Sequence, residues 1–155
     1  MKTIDHGPFA PGSPAAEIMA LERGAMERWG AGDPDGFLEI SDPDVVYFDP
    51  FLDQRLIGLA PLKALYDSLR GTVHIDHFEF IDPKITISGE MALLTYNFVS
   101  YDAQGTPMRW NTTEVYRRAA PAQGAAADAA GAPERTDWKI IHSHWAFTKP
   151  ALAAS

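Results

Sequence analysis

The chain has 155 residues, a length that predicts one domain with a core of its own. Hydrophobic residues make up 46% and charged residues 22%, which excludes a chain that is disordered by composition. Because there is no cysteine, disulfides, thiolate nucleophiles and zinc–thiolate sites are excluded. The net charge of −8 argues against nucleic-acid and membrane partners. No bilayer-spanning apolar stretch or signal peptide is visible, so a cytoplasmic protein is expected.

Helix signals are concentrated in the first half of the chain. Ser13-Pro14 predicts the start of a first helix, with serine as N-cap and proline in the first turn. Asp33-Pro34 repeats this signal and predicts a short second helix. A third helix is predicted after Pro61, with leucines and one tyrosine on one face.

The rest of the chain is rich in β-branched and aromatic residues, which predicts strands. They cover residues 45–48, 73–81, 85–87, 91–101, 108–118 and 138–147, with turns at Asp82-Pro83, Ser88-Gly89 and 102–107. Helices that precede a series of strands indicate an α+β fold, in which helices cover one face of a curved antiparallel sheet.

The domain organisation follows from composition. Residues 1–12 lack periodicity and are expected to form a flexible N-terminal arm, and residues 151–155 a C-terminal tail. Residues 13–150 form the predicted single domain. Within it, residues 119–135 are rich in alanine and are expected to form a low-complexity hairpin loop that is dispensable for folding.

Four segments, in this order, resemble the nuclear transport factor 2-like superfamily. They are Ala31-Gly32-Asp33 before a short helix, the stretch 45–50, Gly58 at a helix start, and the stretch 138–144. The sequence is most similar to SnoaL-like proteins and to the association (hub) domain of calcium/calmodulin-dependent protein kinase. The resemblance implies a cone-shaped fold, with three N-terminal helices packed on a strongly curved, mixed, mainly antiparallel sheet that encloses a pocket. It also implies a homodimer, or a higher oligomer, through the outer sheet face.

Asp49 and Glu114 are the candidate catalytic residues. Asp49 ends a short strand and precedes a proline, which holds its backbone extended. The resemblance matches Asp49 to the general base of the ketosteroid isomerase branch, and Glu114 to a protonated acid that stabilises the oxyanion. Two structural alternatives remain open: Asp49 caps a turn, and Glu114 pairs on the sheet surface with an arginine such as Arg118.

The candidate ligand-binding residues are Tyr47, Tyr66, Asn97, Thr112 and Trp145. The resemblance matches Tyr66 to a pocket tyrosine, but Ala25 stands where the isomerase has its oxyanion tyrosine, which argues against steroid isomerisation. Asn97, Glu114 and Trp145 occupy positions that hold arginines in hub domains. The pocket is therefore expected to take a neutral or cationic organic ligand rather than a carboxylate. No cofactor or metal site is indicated.

The last predicted strand carries a His-x-His pair. Simple alternation places His142 and His144 on one face with Trp138 and Ile140. Three interpretations remain open: a metal pair without a third ligand, histidines in a dimer interface, and histidines in the pocket. If Trp145 faces the pocket, alternation sends both histidines to the opposite face.

Two functions compete because the superfamily includes enzymes, binding modules and scaffolds. The first is a homodimeric ligand-binding or assembly domain of the SnoaL-like or association-domain type. The second is a small cofactor-independent enzyme (isomerase, cyclase, dehydratase or hydrolase type) that uses Asp49 with Glu114 as acid–base groups. If both carboxyls share an apolar pocket, the pKa of at least one should lie above its ordinary value.

Overall fold

The computed structural model describes residues 8–119 and 137–149. Most of the predicted N-terminal arm, almost all of the alanine-rich loop and the whole C-terminal tail lie outside the described residues. The elements follow in the order α1 (Pro14–Gly30), α2 (Asp35–Glu39), β1 (Ser41–Phe48), β2 (Leu56–Ile57), α3 (Leu59–Leu69), β3 (His77–Ser88), β4 (Met91–Tyr101), β5 (Pro107–Arg118) and β6 (Trp138–Phe147). Of the helices that the structure describes, none has the length and apolar character needed to cross a membrane.

The first two helices begin at the predicted caps. The Ser13 hydroxyl accepts a hydrogen bond from the N–H of Ala16 at 3.1 Å, and Pro14 occupies the first turn of α1. Asp33 Oδ1 accepts from the N–H of Asp35 at 3.0 Å and so caps the start of α2. Helix α3 begins two residues before the predicted proline, at Leu59, and follows β1 and β2 in the chain.

Gly32 joins the end of α1 to the end of α3. Its backbone has φ +88°, a left-handed conformation that favours glycine. Its carbonyl accepts the N–H of Gly71 at 2.9 Å. A Cβ added at Gly32 would lie 3.2 Å from the Cα of Gly71, so the two turns pack backbone against backbone. This contact explains the glycine of the Ala31-Gly32-Asp33 segment.

The six strands form one curved, unclosed sheet in the order β2-β1-β6-β5-β4-β3. All neighbours are antiparallel except β1 and β6, which run parallel. The predicted turn at Asp82-Pro83 is wrong, because β3 continues through it with a register shift between Ile81 and Lys84. Such a bulge accommodates proline within a strand, and Asp82 takes a positive φ of 49° there. The strand predicted from residue 73 begins only at His77.

Strand alternation decides which side chains face the helices. Trp110, Thr112, Glu114 and Tyr116 share the inner face of β5, as predicted, and the last three are buried there. They adjoin a core built mainly from the inner face of the sheet and from α1 and α3. The inner face of the sheet therefore carries the core and the site.

A bulge in β6 reverses the predicted placement of the histidines. Tyr116 pairs with Ile140 and Val115 pairs with His142, which leaves Ile141 as an extra residue. One extra residue sends all following side chains to the opposite face. The prediction that His142 and His144 share a face with Trp138 and Ile140 is therefore wrong.

Candidate functional site

A cavity of about 440 Å³ lies at one end of the sheet, against α1, α2 and α3. Nine of its twenty lining residues are aromatic: Trp29, Phe37, Tyr47, Phe51, Tyr66, Phe98, Tyr101, Trp110 and Trp145. Its ionisable residues, apart from tyrosine, are Asp49, His74 and Asp102, and no lysine or arginine of the described chain lines it. The cavity is thus a mainly aromatic space with acidic groups in its wall.

Asp49 lies in this wall, held by two hydrogen bonds. Its Oδ1 accepts the N–H of Phe51 at 2.8 Å, and its Oδ2 accepts the hydroxyl of Tyr47 at 3.0 Å. The bond to Phe51 is the predicted turn cap, so Asp49 caps a turn and lines the cavity at once. Each oxygen keeps a lone pair for a further donor.

Two phenols stand beside Asp49 in the wall. The ring of Tyr47, whose hydroxyl donates to Asp49, meets the ring of Tyr66 edge to face, with centroids 5.6 Å apart. Burial raises the pKa of both phenols, so both remain protonated donors at neutral pH.

Glu114 is fully buried and does not line the cavity. Its Oε1 accepts the hydroxyl of Ser143 and, at 3.2 Å, the indole N–H of Trp145. The Trp145 ring forms part of the cavity wall, so Glu114 lies behind that wall. The alternative of a surface pair with Arg118 is wrong, because Glu114 has no exposed surface.

Glu22 on α1 is the partner of Glu114 and was missed by the sequence analysis. It is fully buried, accepts the hydroxyls of Tyr96 and Tyr116 at 2.5 Å each, and interacts electrostatically with the Glu114 carboxyl. The signal was its spacing: Glu22 lies four residues after Ile18 and four before Met26, on the apolar face of α1.

Burial makes both carboxyls of this acid pair hold their protons more strongly. It raises the pKa of both, and the charge of Glu22 raises the pKa of Glu114 further. The two phenols that donate to Glu22 oppose the rise there, so Glu114 is the acid of the pair that holds its proton to higher pH. Glu114 Oε2 is buried without a hydrogen-bond partner among the described residues, which further disfavours the ionised form of this carboxyl. The pKa of a predicted site acid is thus raised, but by burial and Glu22 rather than by a pocket shared with Asp49.

The five predicted ligand-binding residues divide into three groups. Tyr47, Tyr66 and Trp145 line the cavity. Thr112 is buried on the inner face but lies outside the cavity lining. The placement of Asn97 in the pocket is wrong: Asn97 is exposed on the outer face, where its amide donates to the Asn111 side chain at 2.7 Å. Strand alternation turns its buried neighbours in β4, Tyr96 and Phe98, inward instead.

Comparison with known proteins identifies the family of this chain. The profile of the SnoaL-like domain matches residues 23–125, about two-thirds of the chain. The chain belongs to the SnoaL-like domain family. A search of curated protein sequences found no significant relative.

Solved structures extend the match across nearly the whole SnoaL-like chain. A protein of Parabacteroides distasonis, provisionally assigned as a ketosteroid isomerase, is 35% identical, with a TM-score of 0.70 over 90% of this chain and 91% of that one. The hub of the kinase CaMKII from S. rosetta is 22% identical (TM-score 0.65, 90% and 100% covered). A nuclear transport factor 2-like protein of unknown function from Pseudomonas putida is 20% identical (TM-score 0.69, 92% and 94% covered). The predicted resemblance to this superfamily is confirmed.

The outer sheet face of the SnoaL-like domain carries both histidines of β6. Because Trp145 lines the cavity, His142 and His144 point away from it, and the pocket interpretation of the pair is wrong. The His144 ring lies 4.9 Å from the Phe48 ring, and burial lowers the pKa of His142. In residues 8–119 and 137–149, no group of three or more potential metal ligands includes the pair. The interface interpretation stays a prediction.

Proposed function

We propose that this SnoaL-like domain is a homodimeric small-molecule-binding domain whose cavity takes a neutral or cationic organic ligand. In this proposal the helices and the curved sheet form a cone around the cavity. One observation carries it: the Asp49 carboxylate is held by hydrogen bonds in a mainly aromatic wall, to which no lysine or arginine of the described chain contributes. A volume of about 440 Å³ lies within the range of small-molecule sites. An anionic ligand would meet Asp49 and Asp102 without a counter-charge.

The cavity-binding part is tested by filling the cavity. Ser100 lines it, whereas Ser68 is exposed on α3 and does not. We expect a neutral bicyclic compound such as 2-naphthylmethanol to bind the wild type saturably in calorimetry. Ser100→Phe should lose that binding, and Ser68→Phe, the matched control, should keep it. No saturable binding to the wild type, or equal binding to both variants, would contradict the proposal.

Self-association through the outer sheet face is the second part of the proposal. Leu93 on this face is 43% exposed, and Phe48, His142 and His144 cluster on the same face. An apolar area of this kind is uncommon on the surface of a monomer. The fold similarity to kinase hub structures also favours assembly. Light scattering at micromolar concentration is expected to give twice the chain mass, and a strict monomer would remove this part.

A second candidate function, an acid–base enzyme, is favoured by the hydrogen bonding of Asp49. A general base needs a fixed carboxylate in an apolar site, and Asp49 is held by Tyr47 and the Phe51 N–H. The 35% identical protein assigned as a ketosteroid isomerase supports the same reading. Glu114 lies behind the wall, so Asp49 would act as the base without direct help from it. Deuterium uptake beside the carbonyl of bicyclic ketones, abolished by Asp49→Asn, tests this candidate.

A further inference from the structure

The charged groups of the cavity wall are not equally available to a ligand. Asp102 caps the turn between β4 and β5, where its Oδ1 accepts the N–H groups of Gln104 and Thr106 at 2.9 and 2.8 Å. His74 is exposed, in the segment between α3 and β3. Asp49 is half-buried, with one donor on each oxygen. Asp49 is therefore the carboxylate best placed to meet a ligand inside the cavity.

Aromatic rings share the cavity wall with Asp49. Tyr47 donates to Asp49 and packs edge to face on Tyr66, on which Trp29 packs with ring centroids 4.9 Å apart. The Trp110 ring also lines the cavity, 6.3 Å from the more exposed ring of Phe51. Aromatic faces attract cations, most strongly when water is excluded, and indole is the strongest of them.

From this arrangement we infer that the ligand is a protonated organic amine with a flat apolar body, its ammonium group bound to Asp49. The inference rests on the proposed binding function and narrows it. A neutral ligand that covers Asp49 would strip water from a carboxylate without supplying a counter-charge, which is costly. An amine supplies both the charge and the N–H donors that the free lone pairs of Asp49 accept. The net charge of −8 further favours the approach of a cation.

Three probes of one shape separate charge from shape: 2-naphthylmethylamine as the cation, 2-naphthylmethanol as the neutral compound and 2-naphthoate as the anion. Calorimetry at physiological salt is expected to rank them in that order of affinity, with the amine about tenfold or more tighter than the alcohol. In Asp49→Asn this preference should fall below about threefold, while the affinity for the alcohol stays within about threefold of wild type. Asp44→Asn, an exposed residue of β1, makes the same change in net charge and should keep the preference.

The outcomes distinguish the inference from the function on which it rests. Equal wild-type affinities for amine and alcohol would overturn the amine inference but leave the binding cavity in place. A preference that survives Asp49→Asn would also overturn it, because the charge would then be recognised elsewhere. If none of the three probes binds, both the inference and the binding function fail.

Discussion

The buried acid pair predicts that Glu114→Gln becomes more stable than the wild type as pH rises. Glutamine has the shape of a protonated glutamate, and its Oε1 can accept from Ser143 and Trp145 as Glu114 Oε1 does. Its neutral amide then stands beside Glu22, as the protonated carboxyl of Glu114 does. The folded variant therefore keeps the charge of the protonated wild type at this position at every pH.

The magnitude follows from proton linkage. Burial and the charge of Glu22 raise the pKa of Glu114 in the folded state, whereas the unfolded chain releases this proton near the ordinary value of about 4.3. Stability is complete below that value and is lost as pH rises toward the raised pKa, because the folded state then binds more protons than the unfolded state. In this window, a difference of one bound proton lowers the free energy of unfolding of the wild type by about 1.4 kcal/mol per pH unit. Glutamine does not titrate, so the stability of Glu114→Gln relative to the wild type should increase with pH at that rate.

Urea unfolding followed by far-UV circular dichroism, between about pH 5.5 and 8.5, measures this difference. Glu22→Gln is the matched control. Its amide offers one oxygen to the hydroxyls of Tyr96 and Tyr116, so we expect it to destabilise the fold by about 1–3 kcal/mol. A difference between wild type and Glu114→Gln that does not change with pH would refute the reasoning. A Glu114→Gln variant less stable than wild type at neutral pH would refute it as well.

Three further predictions concern the turn after α1 and the outer face. Gly32→Ala should lower the free energy of unfolding by about 1–2 kcal/mol in urea titrations, because alanine disfavours a positive φ. Leu93→Glu should weaken the proposed dimer at least about tenfold in sedimentation, because it places a charge in the proposed interface. Burial lowers the pKa of His142, so the protonated imidazole is the form that a buried interface disfavours. Self-association should therefore weaken as pH falls below about 6, and His142→Gln should reduce this pH dependence.

Local signals in the sequence predicted much of the fold. The caps at Ser13 and Asp33 depend on residues within three positions of one another, so the helix starts follow from the chain itself. Strict alternation over a long regular strand predicted which residues of β5 share a face, and the family resemblance predicted that the Glu114 side is the inner one. The same rule, applied to the apolar residues at alternate positions of β4, turns Asn97 outward. Its placement in the pocket came from family resemblance alone and was wrong.

Features that depend on a partner element could not be read from one segment. The bulge at Ile141 exists only in the pairing of β6 with β5, and nothing in the local pattern of β6 marks an extra residue. The pairing of Glu22 with Glu114 joins residues far apart in sequence, and a glutamate on an amphipathic helix is ordinarily assigned to solvent. Asp49 was predicted as a site residue because its local pattern, a strand end followed by proline, resembles that of the ketosteroid isomerase branch.

Trp145 allows the protonation state of Glu114 to be determined without a titration. Its indole N–H donates to Glu114 Oε1, and Trp145→Phe removes this donor while it keeps a ring in the cavity wall. A hydrogen bond to a neutral acceptor contributes about 0.5–1.5 kcal/mol, and one to a charged acceptor about 1.5–3 kcal/mol. If Glu114 is protonated at pH 7, Trp145→Phe should cost the same, within about 0.5 kcal/mol, in the wild type and in Glu114→Gln. A cost larger by about 1 kcal/mol or more in the wild type would mean that Glu114 is ionised, and the pH dependence predicted for Glu114→Gln would fail with it.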